Sequence, residues 1–255
     1  MHGAVSRRNK TLMCKGPSVM KKCAILQSNY IPWKGYFDII FMVDEFIFHD
    51  VVQYTKLDWR NRNKIKTPIG SKWLSIPIDK PEHHKDLRIC DARINDASWA
   101  KKHWNIIVHN YKKAPFFHIY KELFEELYLA KEEKYLCEVN YKFISSICFI
   151  LGIETKLSIC TDYNLVNGKV ERLVSLVKQA DGTDYISGPA AKKYITDDSL
   201  FSEAGINLTW IDYSGYPEYL QLNPPFDHYV SILDLLFNTG PQAQYYIWGW
   251  REKEK

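Results

Sequence analysis

The chain lacks long hydrophobic runs and a secretory signal. No stretch of about 18 uninterrupted apolar residues occurs among its 255 residues, so no membrane span is expected. The basic N-terminal segment contains no apolar core of the kind that a signal peptide needs. The cysteines show no paired spacing, and we expect reduced thiols in a cytoplasmic protein, without a disulfide or metal role. They are Cys14, Cys23, Cys90, Cys137, Cys148 and Cys160.

Several sequence motifs of common enzyme classes are also missing. The chain contains no G-x-x-x-x-G-K-[ST], no G-x-G-x-x-G, no H-E-x-x-H, no C-x-x-C and no G-x-S-x-G. P-loop, standard dinucleotide-binding, zincin and serine-hydrolase interpretations therefore have no support in the sequence.

Positive charge is concentrated at the N-terminus. Residues 1–23 contain six basic residues and no acidic residue, which leaves the rest of the chain slightly acidic. That balance argues against nucleic acid as a partner. Two interpretations of the leader at residues 1–20 remain open: a disordered arm, or an untranslated segment with the true start at Met20. The second is favoured because Met20 directly precedes Lys21-Lys22 and the first predicted strand.

Residues 21–250 contain no internal repeat and no linker rich in Pro, Gly or Ser, which predicts a single domain. Apolar patterns predict a strand at 23–27, a helix at 35–46 and a strand at 46–52, a β-α-β unit with parallel pairing. Further strands are predicted at 157–160, 183–186 and 206–212, and an edge strand at 73–78 that contains Pro77. Three amphipathic helices occupy the middle of the chain. The predicted fold is α/β: an open, mostly parallel, Rossmann-like sheet with helices on both faces and a helical insertion.

Polar residues follow the predicted strands, chiefly in the segment 27–66. Ligands of open α/β sheets bind beyond the carboxyl ends of the strands, so these residues are expected to meet at one edge. The predicted substrate-binding residues are Gln27, Asn29, Tyr30, Lys34, Gln53, Lys56, Arg60, Asn61, Arg62, Asn63, Lys64, Ser187, Gly188, Tyr213 and Ser214.

Two features of this set suit a phosphate group. Gly188 precedes Pro189 at a predicted helix start, where backbone N–H groups are unpaired. The basic residues of 56–66 alternate with Asn61 and Asn63, and arginine can bind phosphate through two hydrogen bonds. The alternative interpretations are a solvated surface loop for the basic run and a plain helix cap for Gly188.

Candidates for a general base are carboxylates at the strand ends. Asp50 and Asp212 are the proposed catalytic residues, and Asp58 and Asp162 are further candidates, although each could instead cap a turn. His103 lies on an apolar helical face and is expected to be a hydrogen-bonded core residue. No metal site is assigned, since the pair His83-His84 lies in a charged loop and is a weak signal.

The same segments carry a family resemblance. The stretch 24–38 (AILQSNYIPWKGYFD) resembles the opening of the WbqC-like protein family, and further matches extend over nearly the whole chain, from about Lys21 to Ile247. These matches are VQYTK at 52–56, WRNRNKIK at 59–66, KHW at 102–104, NYKKAP at 110–115, YISGP at 185–189 and DYSGYPEY at 212–219. The chain departs from the family pattern at Ser28, where a Pro is usual, and at Val51, where an Asp commonly follows Asp50.

The resemblance implies a bacterial protein of O-antigen (lipopolysaccharide) or other surface-polysaccharide biosynthesis. It implies a transferase or ligase that attaches an amino acid or acyl group to the amine of a nucleotide-linked amino sugar. The expected partner is that nucleotide sugar or another phosphorylated small molecule, and ATP is the candidate cofactor. The family supplies no secure catalytic residues.

Three alternatives stay open. The stretch 30–40 is similar to the first motif of nucleotidylyltransferases but lacks its paired histidines, with Tyr36 standing where the second would be. A non-enzymatic module could instead bind glycan on aromatic platforms such as Trp33, Trp59 and Tyr216. Nucleic-acid binding through 59–66 is disfavoured by the acidic body of the chain.

Overall fold

The computed structural model describes residues 20–79, 86–130 and 133–252. The expectations for residues 1–19 of the leader and for His83-His84 lie outside the described residues. Among the described residues, no helix has the length and apolar character that a membrane crossing requires.

A five-stranded sheet forms the centre of the molecule. Its strands lie in the order β5-β2-β1-β6-β7 and every neighbouring pair is parallel, so the predicted parallel α/β sheet is confirmed. The strands are β1 (Lys22–Leu26), β2 (Glu45–Phe48), β5 (Lys156–Ile159), β6 (Asp184–Ser187) and β7 (Asn207–Trp210). The helices are α1 (Lys34–Phe41), α2 (Trp99–Tyr111), α3 (Phe117–Leu129), α4 (Leu136–Ile150), α5 (Val170–Gln179), α6 (Ser199–Glu203) and α7 (Ile232–Thr239).

Helices cover both faces of this sheet. Successive side chains of a strand point to opposite faces, and Cys23 and Ala24 accordingly belong to two different apolar clusters. The cluster around Cys23 includes Leu176 of α5 and Phe201 of α6. The cluster around Ala24 takes its residues from α1, α7 and the insertion α2 to α4, and holds most of the buried aromatic rings. The predicted helical insertion lies between β2 and β5 in the chain.

The basic segment forms a strand that the sequence analysis did not predict, and the predicted strand at 73–78 has different bounds. Residues Arg62–Thr67 form β3, which pairs antiparallel with β4 (Gly70–Ser75) in a separate two-stranded hairpin. The predicted strand at 73–78 therefore ends earlier and does not join the parallel sheet. Asn63 and Ile65 are buried while Arg62 and Lys64 are partly exposed, a period-two alternation that the run of positive charge conceals in the sequence.

A fully buried carboxylate lies at the start of β2, between the starts of β1 and β5. Glu45 is 0% exposed and lies 2.8 Å from Nζ of Lys21 and 3.0 Å from Nζ of Lys156. Ser158 Oγ donates to it at 2.6 Å, and the Tyr163 hydroxyl donates as well. Burial raises the pKa of Glu45, but these donors and cations outweigh it and hold the pKa at about 2.

We expect Glu45→Gln to destabilise the protein near neutral pH by about 3 kcal/mol, because the two lysines would lose a buried partner. The folded-state pKa lies below the unfolded one, so the stabilisation is complete above the unfolded pKa and declines as the pH falls towards 2. Urea unfolding at about pH 7 and about pH 3 should show the difference between wild type and variant shrinking with acid. Glu122→Gln, at an exposed position of α3, is the control and should cost less than about 0.5 kcal/mol.

Candidate functional site

The order of the strands defines where a crevice can open. From β1 the chain moves outward to β2 on one side, and β6 and β7 lie on the other side of β1. The boundary between β1 and β6 is therefore the switch point of the sheet, where ligands of doubly wound folds bind beyond the carboxyl ends of the strands. The loop from Gln27 to Trp33, which follows β1, forms one side of this crevice.

Buried hydrogen bonds fix this loop from below. The Ser28 N–H donates to Asp50 Oδ1 at 2.8 Å, and the amide of Asn140 on α4 donates to Ser28 Oγ at 3.0 Å and to the Arg60 carbonyl at 2.9 Å. The amide of Asn63 donates to the carbonyls of Tyr30 and Ile31 at 3.1 and 2.9 Å. The loop and the segment that carries Arg60 are thus both hydrogen-bonded to Asn140. This shared contact fixes their relative position and favours a preformed site.

Four of the predicted binding residues lie in the interior. Tyr30 is 0% exposed, and its hydroxyl lies 2.9 Å from His103 Nδ1 and 2.7 Å from the Tyr128 hydroxyl. This contact confirms His103 as a hydrogen-bonded core residue. Asn63 and Ser187 are also buried, with 1% and 2% exposure. Lys34 is 3% exposed, its Nζ donates to the Pro217 carbonyl at 3.2 Å, and burial lowers its pKa to about 8.

Arg60 supplies the positive charge that lies beside the loop. Its guanidinium donates to Oδ1 of Asn29 and, at 3.1 Å, to Oε1 of Gln27. The carboxylate of Asp58 lies 3.8 Å away, beyond hydrogen-bonding distance. Arg60, Gln27 and Asn29 are therefore brought together at the crevice, where the two amide oxygens are hydrogen-bonded to the guanidinium and Asp58 forms a longer ion pair with it.

The other polar residues of the hairpin region face elsewhere. The Arg62 guanidinium lies 4.1 Å from the centre of the Trp73 ring, and Lys64 Nζ is 3.7 Å from Asp227. The Asn61 amide donates to the Ile76 carbonyl at 2.8 Å. Gln53 forms a backbone bridge with Arg88, and both Gln53 and Lys56 are exposed. None of these contacts reaches Gln27 or Asn29.

Aromatic side chains line the crevice around Trp33. Its ring centre lies 5.2 Å from that of Tyr213, 5.9 Å from that of Tyr216 and 5.9 Å from that of Tyr229. A cavity of about 280 Å³ is lined by Asn29, Trp33, Trp59 and Tyr229. A neighbouring cavity of about 410 Å³ is lined by Trp33, Tyr213, Ser214, Gly215, Tyr216, His228 and Tyr229. Trp33 and Tyr229 belong to both cavities, which places the two side by side.

The indole of Trp33 depends on a glycine in the first turn of α1. A Cβ atom at Gly35 would lie 2.4 Å from Trp33 Cζ2, closer than real Cβ contacts allow. We therefore expect Gly35→Ala to displace the indole, change the near-ultraviolet circular dichroism and weaken any ligand that contacts Trp33. Gly188→Ala is the matched control, since Gly188 has φ −73° and its Cβ would lie 3.6 Å from the Tyr213 hydroxyl. An unaltered spectrum for Gly35→Ala would contradict the expectation.

The ends of β6 and β7 complete the far side of the crevice. Gly188 follows β6 and faces the Tyr213 hydroxyl, while Tyr213 contacts Trp33. The helix expected after Gly188 is a five-residue 3-10 turn, Pro189–Lys193, too short to support an anion site by its dipole. The loop beyond β7 is tied to α1 because the Tyr216 hydroxyl donates to the buried carboxylate of Asp38, which also accepts two hydrogen bonds from Arg251.

The two proposed catalytic carboxyls have opposite environments. Asp50 is 5% exposed, and burial raises its pKa even though Ser28 and Arg60 act in the opposite direction. A raised pKa in a carboxyl close to a positive charge is the property expected of a proton-transfer group. Asp212 is exposed, and its carboxylate accepts from the N–H and hydroxyl of Ser214 at 2.9 Å each, which lowers its pKa. Asp212 therefore has the contacts of a turn residue.

The sequence did not predict three histidine and tyrosine residues that lie near the crevice or at the carboxyl end of β2. Tyr229 and His228 precede α7 in a segment that is not a strand end, so the rule that selected the other candidates could not find them. His49 follows β2, is 7% exposed, and its Nε2 is buried with no partner among the described residues. Burial and the nearby Arg172 lower the pKa of His49 to about 4, so the ring is neutral at physiological pH.

The fold and the crevice define an α/β protein of the doubly wound type, with a candidate ligand site at the switch point of its sheet. Residues 27–246 match the model of the WbqC-like protein family, and the chain belongs to this family. It is 47% identical over 229 residues to the uncharacterized protein Rv1507c of Mycobacterium tuberculosis (strain ATCC 25618 / H37Rv). That match covers 89% of this chain and 98% of the mycobacterial protein. No solved structure matches the chain.

Proposed function

We propose that the crevice binds a nucleotide-linked amino sugar and that the protein attaches an acyl or aminoacyl group to the sugar amine. The reaction would belong to the cytoplasmic stage of bacterial surface-polysaccharide synthesis, such as that of O-antigen. The observation that carries the proposal is the meeting of an arginine, two amides and several aromatic faces at the switch point. Guanidinium groups bind phosphate, aromatic faces stack on bases and sugars, and amides bind hydroxyl groups.

Arg60 is the proposed phosphate ligand. Its guanidinium is oriented by hydrogen bonds to Gln27 and Asn29 and also forms an ion pair with Asp58 at 3.8 Å. A phosphate would therefore compete with a long ion pair rather than with a hydrogen-bonded one. The charge is also only partly exposed, with 18% of the side chain accessible. Screening by solvent is weaker at such a position than on an open surface.

A carboxylate at a strand end, Asp50 or Asp212, is the proposed proton acceptor, and Asp212 accepts a hydrogen bond from Ser214, which lines the larger cavity. The ammonium group of the sugar would transfer one proton to this carboxylate, and the resulting amine would attack the acyl carbonyl carbon. A C–N bond forms, and the bond from that carbon to the leaving oxygen of an acyl phosphate or acyl adenylate breaks. ATP would supply the phosphoryl or adenylyl group that activates the carboxylate of the amino acid, with release of ADP or pyrophosphate. Phosphate or AMP then leaves as the amide forms, and the second proton of the amine goes to that leaving group. The raised pKa of Asp50 brings its proton affinity closer to that of the amine, which favours the transfer.

Incubation of the purified protein with amino sugars linked to UDP or dTDP, together with glycine and ATP, tests the reaction. Product detected by mass spectrometry as the sugar plus an amide-linked acyl group is the expected result. Failure to form any amide and to consume ATP, across a panel of nucleotide sugars and amino acids, would overturn the proposed activity. Pyrophosphate release from a sugar phosphate and a nucleoside triphosphate would instead indicate a nucleotidylyltransferase.

A glycan-binding module is the second candidate, because Trp33, Trp59 and Tyr229 offer aromatic faces in one cavity. Such faces commonly pack on sugar rings. Isothermal titration calorimetry distinguishes the two functions. Tight binding of a finished oligosaccharide without binding of nucleotide sugars would favour the module, and the reverse pattern would favour the enzyme.

A further inference from the structure

The crevice is divided into two compartments by a pair of aromatic rings. Trp33 and Tyr229 line both cavities, and their ring centres are 5.9 Å apart with a tilt of 35°. Tyr229 is 63% exposed, so it stands at the mouth of the crevice rather than in its floor. The pair therefore lies between the cavity of about 280 Å³ and that of about 410 Å³.

The smaller compartment is mainly apolar and aromatic. Its walls are Trp33, Trp59 and Tyr229, and Asn29 is its polar lining residue. Asn29 also accepts a hydrogen bond from the Arg60 guanidinium, so the positive charge lies at the border of this compartment. Flat π-faces beside a cation suit the base and the adjoining phosphate of a nucleotide, because every base has a face that can stack.

The larger compartment has a different chemistry. Tyr213 and Ser214 contribute hydroxyl groups, and Gly215 contributes backbone, since its φ of 77° allows no Cβ without strain. His228 contributes a ring whose Nδ1 is buried and has no hydrogen-bond partner in the part of the chain that is described. Because Nδ1 has no accessible surface, a ligand in this compartment can meet the imidazole only through its other ring nitrogen, Nε2. A surface rich in donors and acceptors suits a ring that carries several hydroxyl or amino substituents.

The charge state of His228 fits that role. Burial lowers the pKa of His228, and the nearby Lys34 lowers it further, while Glu218 and Asp227 act in the opposite direction. A neutral imidazole has one ring nitrogen that accepts a hydrogen bond and one that donates. His228 can therefore accept from an amine or hydroxyl group, which a histidinium ion could not do.

The sizes of the two compartments indicate a shared ligand. Pockets for small ligands commonly measure about 300–1000 Å³, so the smaller compartment is too tight for a complete nucleotide sugar. The two cavities together fall inside that range. We propose that one ligand spans both compartments, with its base against Trp59 and Trp33 and its sugar beside His228 and Ser214, on either side of Tyr229. This inference rests on the proposed function and specifies which part of the substrate each compartment recognises.

Calorimetry with nucleoside diphosphates and with their glucosamine conjugates tests the assignment. Trp59→Ala is expected to weaken the diphosphate and the conjugate alike, by about 10-fold, because both contain the base. His228→Ala is expected to weaken the conjugate by about 10-fold and to leave the diphosphate unchanged, because only the conjugate contains the sugar. Trp59→Phe and His228→Asn keep a ring face and a polar group respectively, and each should restore part of the affinity.

The possible outcomes separate this assignment from the proposed function. If conjugates bind but the two alanine variants weaken every ligand by the same factor, the assignment is overturned while nucleotide-sugar binding stands. The assignment is likewise overturned if His228→Ala weakens the bare diphosphate. If no diphosphate or conjugate of uridine, thymidine, guanosine or cytidine binds wild type, the proposed function fails together with the assignment. Thermal melting of each variant checks that the fold is intact.

Discussion

Asp38→Ala is expected to lower the free energy of unfolding by about 4 kcal/mol, because it removes one partner of a buried ion pair. The carboxylate of Asp38 is 0% exposed and accepts hydrogen bonds from Arg251 at 2.9 and 2.7 Å and one from the Tyr216 hydroxyl. Its loss would leave the Arg251 guanidinium, which is one-third exposed, and the Tyr216 hydroxyl without their acceptor. Urea unfolding followed by circular dichroism measures the change.

A double-mutant cycle with Arg251→Met isolates the pair itself. A coupling free energy of about 2 kcal/mol between Asp38→Asn and Arg251→Met is expected for groups in direct contact. Asp44→Asn is the control, since Asp44 is exposed and accepts a hydrogen bond from the Lys22 N–H at 2.7 Å. Additive effects of the two substitutions would contradict the assigned contact. Removal of the residues from Arg251 onward should produce a similar loss.

Arg60→Ala is expected to reduce the affinity for a nucleotide sugar by about 100-fold, equivalent to about 2.7 kcal/mol. The guanidinium is the charged group that the structure brings together with Gln27 and Asn29 at the crevice. Arg60→Lys should recover only part of the affinity, because an ammonium group cannot form the paired hydrogen bonds of a guanidinium. Calorimetry at two salt concentrations is the measurement, and the deficit should be smaller at higher salt.

The matched control for Arg60 is Lys121→Ala, which removes one positive charge from an exposed position of α3. It should leave the affinity unchanged, because Lys121 lines neither of the two crevice cavities. Equal losses for the two variants would indicate non-specific attraction of the phosphate by net charge. Arg60 would then have no special role in binding.

The parallel sheet could be predicted because its signals are local. Buried strands such as β1 and β2 are short apolar runs in the sequence, and the helix between them has apolar residues at helical spacing. Together they predict a β-α-β unit, whose two strands pair in parallel. The hairpin could not be predicted in the same way. The four basic residues from Arg60 to Lys66 suggest a loop. In the structure, the Arg62 guanidinium packs on the ring of Trp73 in β4, and Lys64 forms an ion pair with Asp227.

The position of the candidate site could be predicted from the sequence, but the directions of its side chains could not. The strand-end rule brought Gln27, Asn29 and Tyr213 to one crevice, and it also selected Tyr30, which points into the core. Whether a side chain after β1 points into the core or into the crevice changes if the strand end shifts by one residue. It also depends on the left-handed conformation of Ile31, at φ 36°. Composition reveals neither of these. Likewise, no local pattern connects His228 with Trp33, since their chain segments meet only in the tertiary structure, through the Trp33–Tyr229 ring contact and a hydrogen bond from the Ile232 N–H to the Pro32 carbonyl.

Asn140 has a consequence for any attempt to shorten this protein. It lies on α4, far from β1 in the chain, yet both of its amide hydrogens are committed to the crevice, one to Ser28 and one to the Arg60 carbonyl. A shortened protein without the three central helices would lose both of these hydrogen bonds. The loop that contains Ser28 and the segment that contains Arg60 would then no longer be held together. Relatives that carry a different residue at this position should therefore show matching replacements where Ser28 and the Arg60 backbone meet it, and covariation among these sites would be the evolutionary trace of that link.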